Sequence, residues 1–342
     1  MQTNNSQEQS IMAFVRRAAP HLLQRVQQGL SNLELIYTPH STWPLPHAHA
    51  GLVQHYNPKA PLRVSILDSS FNPPTLAHLA LANSCRIDGT PQFSTEERKE
   101  KEISTLAYDA KLLLLSVKNA DKTLKPGDAT YSQRLEMMSL LMDDMKPDFV
   151  HFPTTTPDSC GLSQAELANV AIAITDEPTF VGKSQVLRTF FEHRISQSQF
   201  SHEDTATQNL ELTFLVGFDT LERLFSPRYY ASETAMMASL HKFFSPSPEG
   251  DNARLVSARR IMTHSNGTAS NEEDPLLRAK LFMDAGRIAV VDIGDDISTY
   301  SSTTVRRSLN NVGLEQDTLW RKLVTQRVAN YIVDNKLYQP GP

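Results

Sequence analysis

The sequence predicts an α/β protein: a Rossmann-like, doubly wound and mainly parallel sheet with helices on both faces. Short apolar runs suited to buried strands recur along the chain, and segments with helical periodicity alternate with them. With 342 residues, 40% of them hydrophobic, the chain can supply the sizeable core that such a sheet needs.

Residues 11 to 30 place Ile11, Phe14, Val15, Ala18, Leu22, Leu23 and Val26 at three- and four-residue spacings, the pattern of an amphipathic helix. Leu33 to Tyr37 reads as a short strand. The stretch from Pro39 to Pro61 reads as an irregular connection containing His40, His47, His49 and His55, with no carboxylate or cysteine spacing that would make them a metal site. Residues 1–60 are therefore expected to form an N-terminal extension ahead of a main domain spanning 61–342. Arg63 to Leu67 is the first strand of that domain. It runs into the tight loop Asp68-Ser69-Ser70-Phe71-Asn72-Pro73-Pro74-Thr75 and a helix reaching Asn83.

Lys111 to Val117 is a second strand and Tyr131 to Met142 a second helix. Val170 to Thr175 is a third strand, followed by a helix around Lys183 to His193. Leu212 to Val216 ends in Gly217-Phe218-Asp219 and a short helix to Phe225, and Arg254 to Ser257 and Ile288 to Ile293 complete the strands. The polar stretches 192–209 and 265–274 are expected to be surface loops. Parallel strands need right-handed crossovers, and ligands bind beyond their carboxyl ends, so the loops at Asp68, Ser116, Gly217 and Gly294 should converge.

A formal net charge of -5 and a pI near 6.1 provide no global attraction to nucleic acid or anionic lipid, which makes a local anion pocket the expectation. Arg259-Arg260 and Arg306-Arg307 are pairs rather than basic tracts. The two cysteines, Cys85 and Cys160, cannot form a disulfide framework, and no apolar run reaches the roughly 18 residues that span a bilayer. The reading is an intracellular protein, cytoplasmic and/or nuclear, with neither nucleic acid nor membrane as partner; assembly into a homo-oligomer stays open.

Two helix beginnings carry the chemistry. Pro73 and Pro74 set the entry to the first, where backbone N–H groups lack intrahelical acceptors and favour an anion. Thr75 and His78, three residues apart, share a face of that first turn. An isolated T-x-x-H is also what a plain helix cap looks like. Near the other end of the chain, Ser301, Ser302 and Thr303 are capping residue types ahead of a helix containing Arg306, whose planar guanidinium matches phosphate oxygens. Capping and a solvated arginine face are the plain alternative there. Two such cradles in one sheet protein favour phosphate binding.

Ser69-Ser70-Phe71-Asn72-Pro73-Pro74-Thr75-Leu76-Ala77-His78 resembles the loop G-S-F-N-P-x-T-x-x-H of the nicotinamide mononucleotide adenylyltransferase family, within the nucleotidyltransferases that share an (H/T)-x-x-H signature. Three further segments follow in the family's order. Ser116 to Lys125, with Tyr131 to Met137, is similar to S-P-V-N-D-x-Y-x-K and H-R-L-E-M. Leu215 to Glu222 is similar to G-x-D-x-L-E, and Tyr300 to Arg306 to I-S-S-T-x-[IV]-R. The chain departs from the pattern at Ser69, where the family has glycine. It also has no tryptophan in the segment that usually stacks the pyridine ring, since Trp43 and Trp320 lie elsewhere and Phe180 is the aromatic in the matching stretch.

The resemblance, to a divergent, fungal-like member, implies a nucleotidyltransferase domain over 61–342 that transfers AMP from ATP to nicotinamide mononucleotide. It implies His78, Thr75 and Lys122 or Lys125 as catalytic residues. Ser70, Phe71, His78, Gly217, Asp219, Ser302, Thr303 and Arg306 are implied for ATP, and Ser69, Ser70, Lys122 and Phe180 for the acceptor. Mg2+ would bind mainly through the ATP phosphates, with no protein metal ligand. Alternatives are another acceptor (nicotinic acid mononucleotide, phosphopantetheine or a cytidylyltransferase substrate) or an ATP-binding or ATP-hydrolysing regulatory protein.

Overall fold

Seven strands form one sheet: β1 (Leu33–Tyr37), β2 (Leu62–Ser69), β3 (Ala110–Ser116), β4 (Val170–Thr175), β5 (Leu210–Val216), β6 (Ala253–Ala258) and β7 (Ile288–Val291). The computed structural model describes residues 2–45, 61–85, 108–118, 127–145, 169–197, 210–259, 275–316 and 319–339. Strand order is β1-β4-β3-β2-β5-β6-β7, and every pairing is parallel except β1 with β4. The chain winds outward from β2 through β3 to β4, then returns to β5 on the other side of β2. That reversal opens a crevice beyond the carboxyl ends of β2 and β5.

Side-chain alternation along the strands divides the core in two. Val64, Ile66, Leu112, Leu114, Leu212 and Phe214 face helices α4 (Phe180–Ser196), α5 (Phe218–Leu224), α6 (Glu233–Phe244) and α7 (Pro275–Asp284) through Leu187, Phe191, Leu221, Phe243 and Phe282. Leu67, Leu113, Leu115, Ile172, Ile174 and Leu215 face α1 (Gln2–Gln27), α2 (Leu76–Ala82) and α3 (Tyr131–Asp143) through Val15, Leu23, Leu81, Leu135 and Met138. Because the strands are buried on both faces, they read as continuous apolar runs. A third cluster joins α3 to α9 (Ser302–Gln316) and α10 (Gln326–Asp334) through Met137, Val305, Leu309, Trp320 and Ile332. The short α8 (Asp295–Ser298) precedes α9.

Several boundaries differ from those the sequence predicts. Helix α1 starts at Gln2, and the segment read as an extension adds its own antiparallel edge strand to the sheet and buries Ile11, Val15, Ala19, Leu23 and Val26. Helix α4 starts at Phe180, capped by Thr179 Oγ1, which accepts from the Gly182 N–H at 3.1 Å, and it continues to Ser196 into the stretch expected to be loop. The rest of that stretch and 265–274 lie outside the described residues. So do Lys122, Lys125, His47, His49, His55, Cys160 and Arg260. His40 bonds Thr42 and Asn169 rather than a metal-type cluster. No helix among the described residues is long and apolar enough to cross a membrane.

Candidate active site

The carboxyl end of β2 runs into the loop that holds His78. Phe71 turns the backbone at φ 44, a left-handed conformation that is costly for a bulky residue and is offset by complete burial of its ring. Thr75 is the N-cap of α2. Its backbone N–H donates to His78 Nδ1 at 3.0 Å, and its Oγ1 lies 2.9 Å from the same nitrogen. With the Nδ1 lone pair occupied, the ring carries its single proton on Nε2, which points at Ser69 Oγ 2.8 Å away. Desolvation by burial lowers the His78 pKa to about 4, so the ring is a neutral hydrogen-bond donor at ordinary pH. The expectation that Thr75 and His78 both point outward at a phosphate is thereby modified: Thr75 is fully buried and orients the ring, and His78 Nε2 is bonded to Ser69 Oγ.

The second helix beginning docks directly on this loop. Ser301 Oγ accepts from the Thr304 N–H at 3.1 Å and so caps α9. Ser302 Oγ donates to the Pro73 carbonyl at 2.7 Å, and Arg306 donates to the Asn72 carbonyl. Asp128 binds the joint from below: its Oδ1 accepts from Asn72 Nδ2 at 2.9 Å and lies 3.5 Å from Arg306 Nε, while Oδ2 is 3.8 Å from Arg134. Tyr338, from the last described turn, donates to Asn72 Oδ1 at 2.9 Å, and burial raises its pKa. Burial likewise lowers the Arg134 pKa, opposed by Tyr338 and Asp128.

On the other side of the loop lies a cavity of about 470 Å3, within the usual size range of small-ligand sites. Ser69 and Ser70 border it, with Ser116 from β3, Pro178 to Lys183 from the start of α4, and Thr220 and Arg223 from α5. Tyr229 and Tyr230 add aromatic wall; Tyr230 OH donates to the Leu224 carbonyl at 3.0 Å, and burial pushes its pKa up to about 12. Phe180 stands edge-on to Phe214, centroids 5.7 Å apart.

The structure thus gathers the sequence-predicted residues into two neighbouring groups. Ser69, Ser70 and Phe180 line the cavity, with His78 bonded to Ser69; Ser302 and Arg306 meet at the Asn72–Pro73 turn, with Thr303 exposed beside Arg306, whose NH2 lies 3.5 Å from its hydroxyl. Gly217 and Asp219 are exposed at the start of α5, next to cavity residue Thr220. Phe71 is fully buried, so any contact it makes with a nucleotide runs through its backbone. Trp43 and Trp320 are both core residues outside the cavity. Of the strand-end loops expected to converge, those at Asp68 and Ser116 line the cavity and the Gly217 turn reaches it through Thr220, whereas Gly294 is not among its lining residues.

Sequence reasoning missed Asp68 with Lys183, Asp128, Arg134 and Tyr338. Lys183 follows Phe180 by three residues, so a shared face of the helix was a signal available for it. The others come together only through tertiary contacts.

A mainly parallel α/β sheet with a switch-point crevice, a T-x-x-H turn after β2 and a serine- and arginine-bearing helix start docked on that turn define a Rossmann-like protein with a candidate ligand site beyond its strand ends. The chain is 31% identical over 184 residues to a Schizosaccharomyces pombe protein named "Putative nicotinamide mononucleotide adenylyltransferase", an alignment covering 54% of this chain and 50% of that protein. The alignment therefore spans about half the length of this curated relative. No family model matches it. Two solved structures of the Plasmodium falciparum nicotinic acid mononucleotide adenylyltransferase, one complexed with NaAD and one with APC, each align at TM-score 0.43 and 14% identity. The alignments cover 81% of this chain and 97% and 96% of theirs.

Proposed function

We propose that the chain transfers AMP from ATP to the 5′-phosphate of nicotinamide mononucleotide, giving NAD and pyrophosphate. The observation that carries this reading is the position of one loop. Ser69 and Ser70 border the cavity, while Asn72 and Pro73, a few residues on, hold Arg306 and Ser302 of α9, and His78 Nε2 bonds Ser69 on the same loop. An acceptor in the cavity and a triphosphate at α9 would meet at His78.

In the proposed step an acceptor phosphate oxygen attacks the ATP α-phosphorus in line. A new P–O bond forms, the bond from the α-phosphorus to the bridging oxygen breaks, and pyrophosphate leaves with that electron pair. The work of the protein is positioning and charge neutralisation. His78 Nε2–H exchanges Ser69 Oγ for an α-phosphate oxygen, and Thr75 keeps the ring aimed. Ser302, Thr303 and Arg306 hold the β- and γ-phosphates, with Arg306 exchanging the Asn72 carbonyl for phosphate oxygens. Gly217 and Asp219 are assigned to the adenosine ribose, and Lys122 or Lys125 to the bridge between substrates. Among the described residues no three His, Cys, Asp or Glu side chains group as a metal site. Mg2+ would bind mainly through the ATP phosphate oxygens, where it would offset charge.

Incubation with ATP, Mg2+ and nicotinamide mononucleotide should yield equal amounts of NAD and pyrophosphate. ATP binding by calorimetry with no dinucleotide formed would refute the transfer. A parallel panel of nicotinic acid mononucleotide, phosphopantetheine and cytidylyltransferase substrates would identify a different acceptor.

A further inference from the structure

A buried ion pair stands in the cavity wall, outside every motif that the sequence displays. Lys183 donates to Asp68 Oδ2, and the two side chains are only 5% and 6% exposed. Ser116 Oγ donates to Asp68 Oδ1 at 3.3 Å, and the Lys183 ammonium lies 5.0 Å from the centroid of the Phe180 ring. Asp68, Ser116, Phe180 and Lys183 all line the same cavity.

Two charges withdrawn from water cost more than their attraction returns unless their remaining hydrogen-bonding capacity is used. An ammonium has three N–H donors and a carboxylate about four acceptor sites, so contacts with Lys183, Ser116 and the ring face leave capacity on both. The wall therefore presents one donor and one acceptor side by side, next to an aromatic ring. Lys118, also at the cavity, is more than half exposed and engaged by Asp176 at 2.9 Å.

A primary carboxamide on a ring beside Phe180 matches this pair. Its C=O accepts from Lys183 while its NH2 donates to Asp68. A carboxylate at the same place has no N–H to give and sets its own oxygen against Asp68. We propose that Asp68 and Lys183 read the carboxamide of the acceptor's pyridine ring and thereby select nicotinamide over nicotinate mononucleotide. This rests on the transferase reading above.

The test is the ratio of kcat/KM for the two mononucleotides, measured on the full chain together with KM for ATP. The unaltered protein should favour the carboxamide by about tenfold or more, as sites built to hydrogen-bond a substrate group do. Asp68→Asn, whose amide can donate to a carboxylate, should erase or invert that ratio. Lys183→Met should raise KM for both acceptors with KM for ATP unchanged, and Lys183→Arg should restore part of the loss. If a single substitution leaves an unpaired buried charge and the protein unfolds on thermal analysis, Asp68→Asn combined with Lys183→Met removes both charges and should bring the ratio near one. Dinucleotide formation with a ratio that Asp68→Asn or the double variant leaves unmoved, or an unaltered protein that prefers nicotinate, would overturn the selection while sparing the transferase reading. Failure to form a dinucleotide from either acceptor would overturn both.

Discussion

His78 receives a hydrogen bond from the Thr75 backbone at Nδ1, which fixes its proton on Nε2, and burial holds its pKa near 4. Two predictions belong to this residue. As a neutral donor aimed at charge that builds up during transfer, it should be worth roughly 3 kcal/mol, so His78→Ala should keep the fold and lose turnover about a hundredfold or more. Because the ring stays neutral, the pH profile of kcat should show no inflection from it between about pH 6 and 8. Near-normal turnover in the variant would remove His78 from the mechanism. The same shift makes a stability statement. With a folded pKa of about 4 against 6.5 for the free side chain, the unfolded chain binds the proton more tightly. The contribution is therefore complete above about pH 6.5 and is lost as pH falls toward 4, by up to roughly 3 kcal/mol. Urea midpoints measured at pH 7 and pH 4.5 should differ less in His78→Gln than in the unaltered protein.

At the scale of elements, the joint between the β2–α2 loop and α9 depends on Asp128, which faces Asn72, Arg306 and the buried Arg134. Asp128→Ala would leave two guanidinium groups without this carboxylate, a change typically costing about 3 kcal/mol when a buried pair is broken. Chemical denaturation should show that loss, and KM for ATP should rise because Arg306 is no longer held. A midpoint equal to that of the unaltered protein would mean that Asp128 does not support the joint. The start of α4 supplies a contrasting case. Glu177 Oε1 accepts from Thr179 N at 2.9 Å and Thr179 Oγ1 at 2.6 Å, and a Cβ on Gly182 would come within 2.2 Å of the Glu177 carboxyl carbon. Gly182→Ala gains up to about 1 kcal/mol of helix propensity, and displacing Glu177 from its cap loses a similar amount. Thermal stability should therefore barely change, while the acceptor KM rises severalfold because these residues wall the cavity.

Across the whole molecule, the first segment is part of the body of the sheet. α1 lays Val15, Ala19, Leu23 and Val26 on the core, β1 closes the sheet edge against β4, and Arg16 pairs with Glu136 of α3, which also accepts from Tyr331 of α10 at 3.1 Å. Removing residues 1–31 would expose that face of the sheet and unpair the Glu136 cluster. The truncated chain should aggregate or melt at a markedly lower temperature; a cooperative, soluble and equally stable truncation would show that the rest of the sheet folds without it.

Strand runs such as Arg63 to Leu67 and Lys111 to Val117, the helix starts at Thr75 and Ser302, and the α/β class were legible in the residues. Apolar periodicity, proline placement and capping chemistry are local properties, and neighbours a few positions apart express them. Where those pieces go is not local. The docking of Ser302 on Pro73, the turning of Thr75 inward to orient His78, and the meeting of Asp68 with Lys183 join positions far apart in the chain. Such pairs acquire their geometry only when the sheet brings its carboxyl ends together. Burial then decides which polar groups are spent on one another and which remain for a ligand.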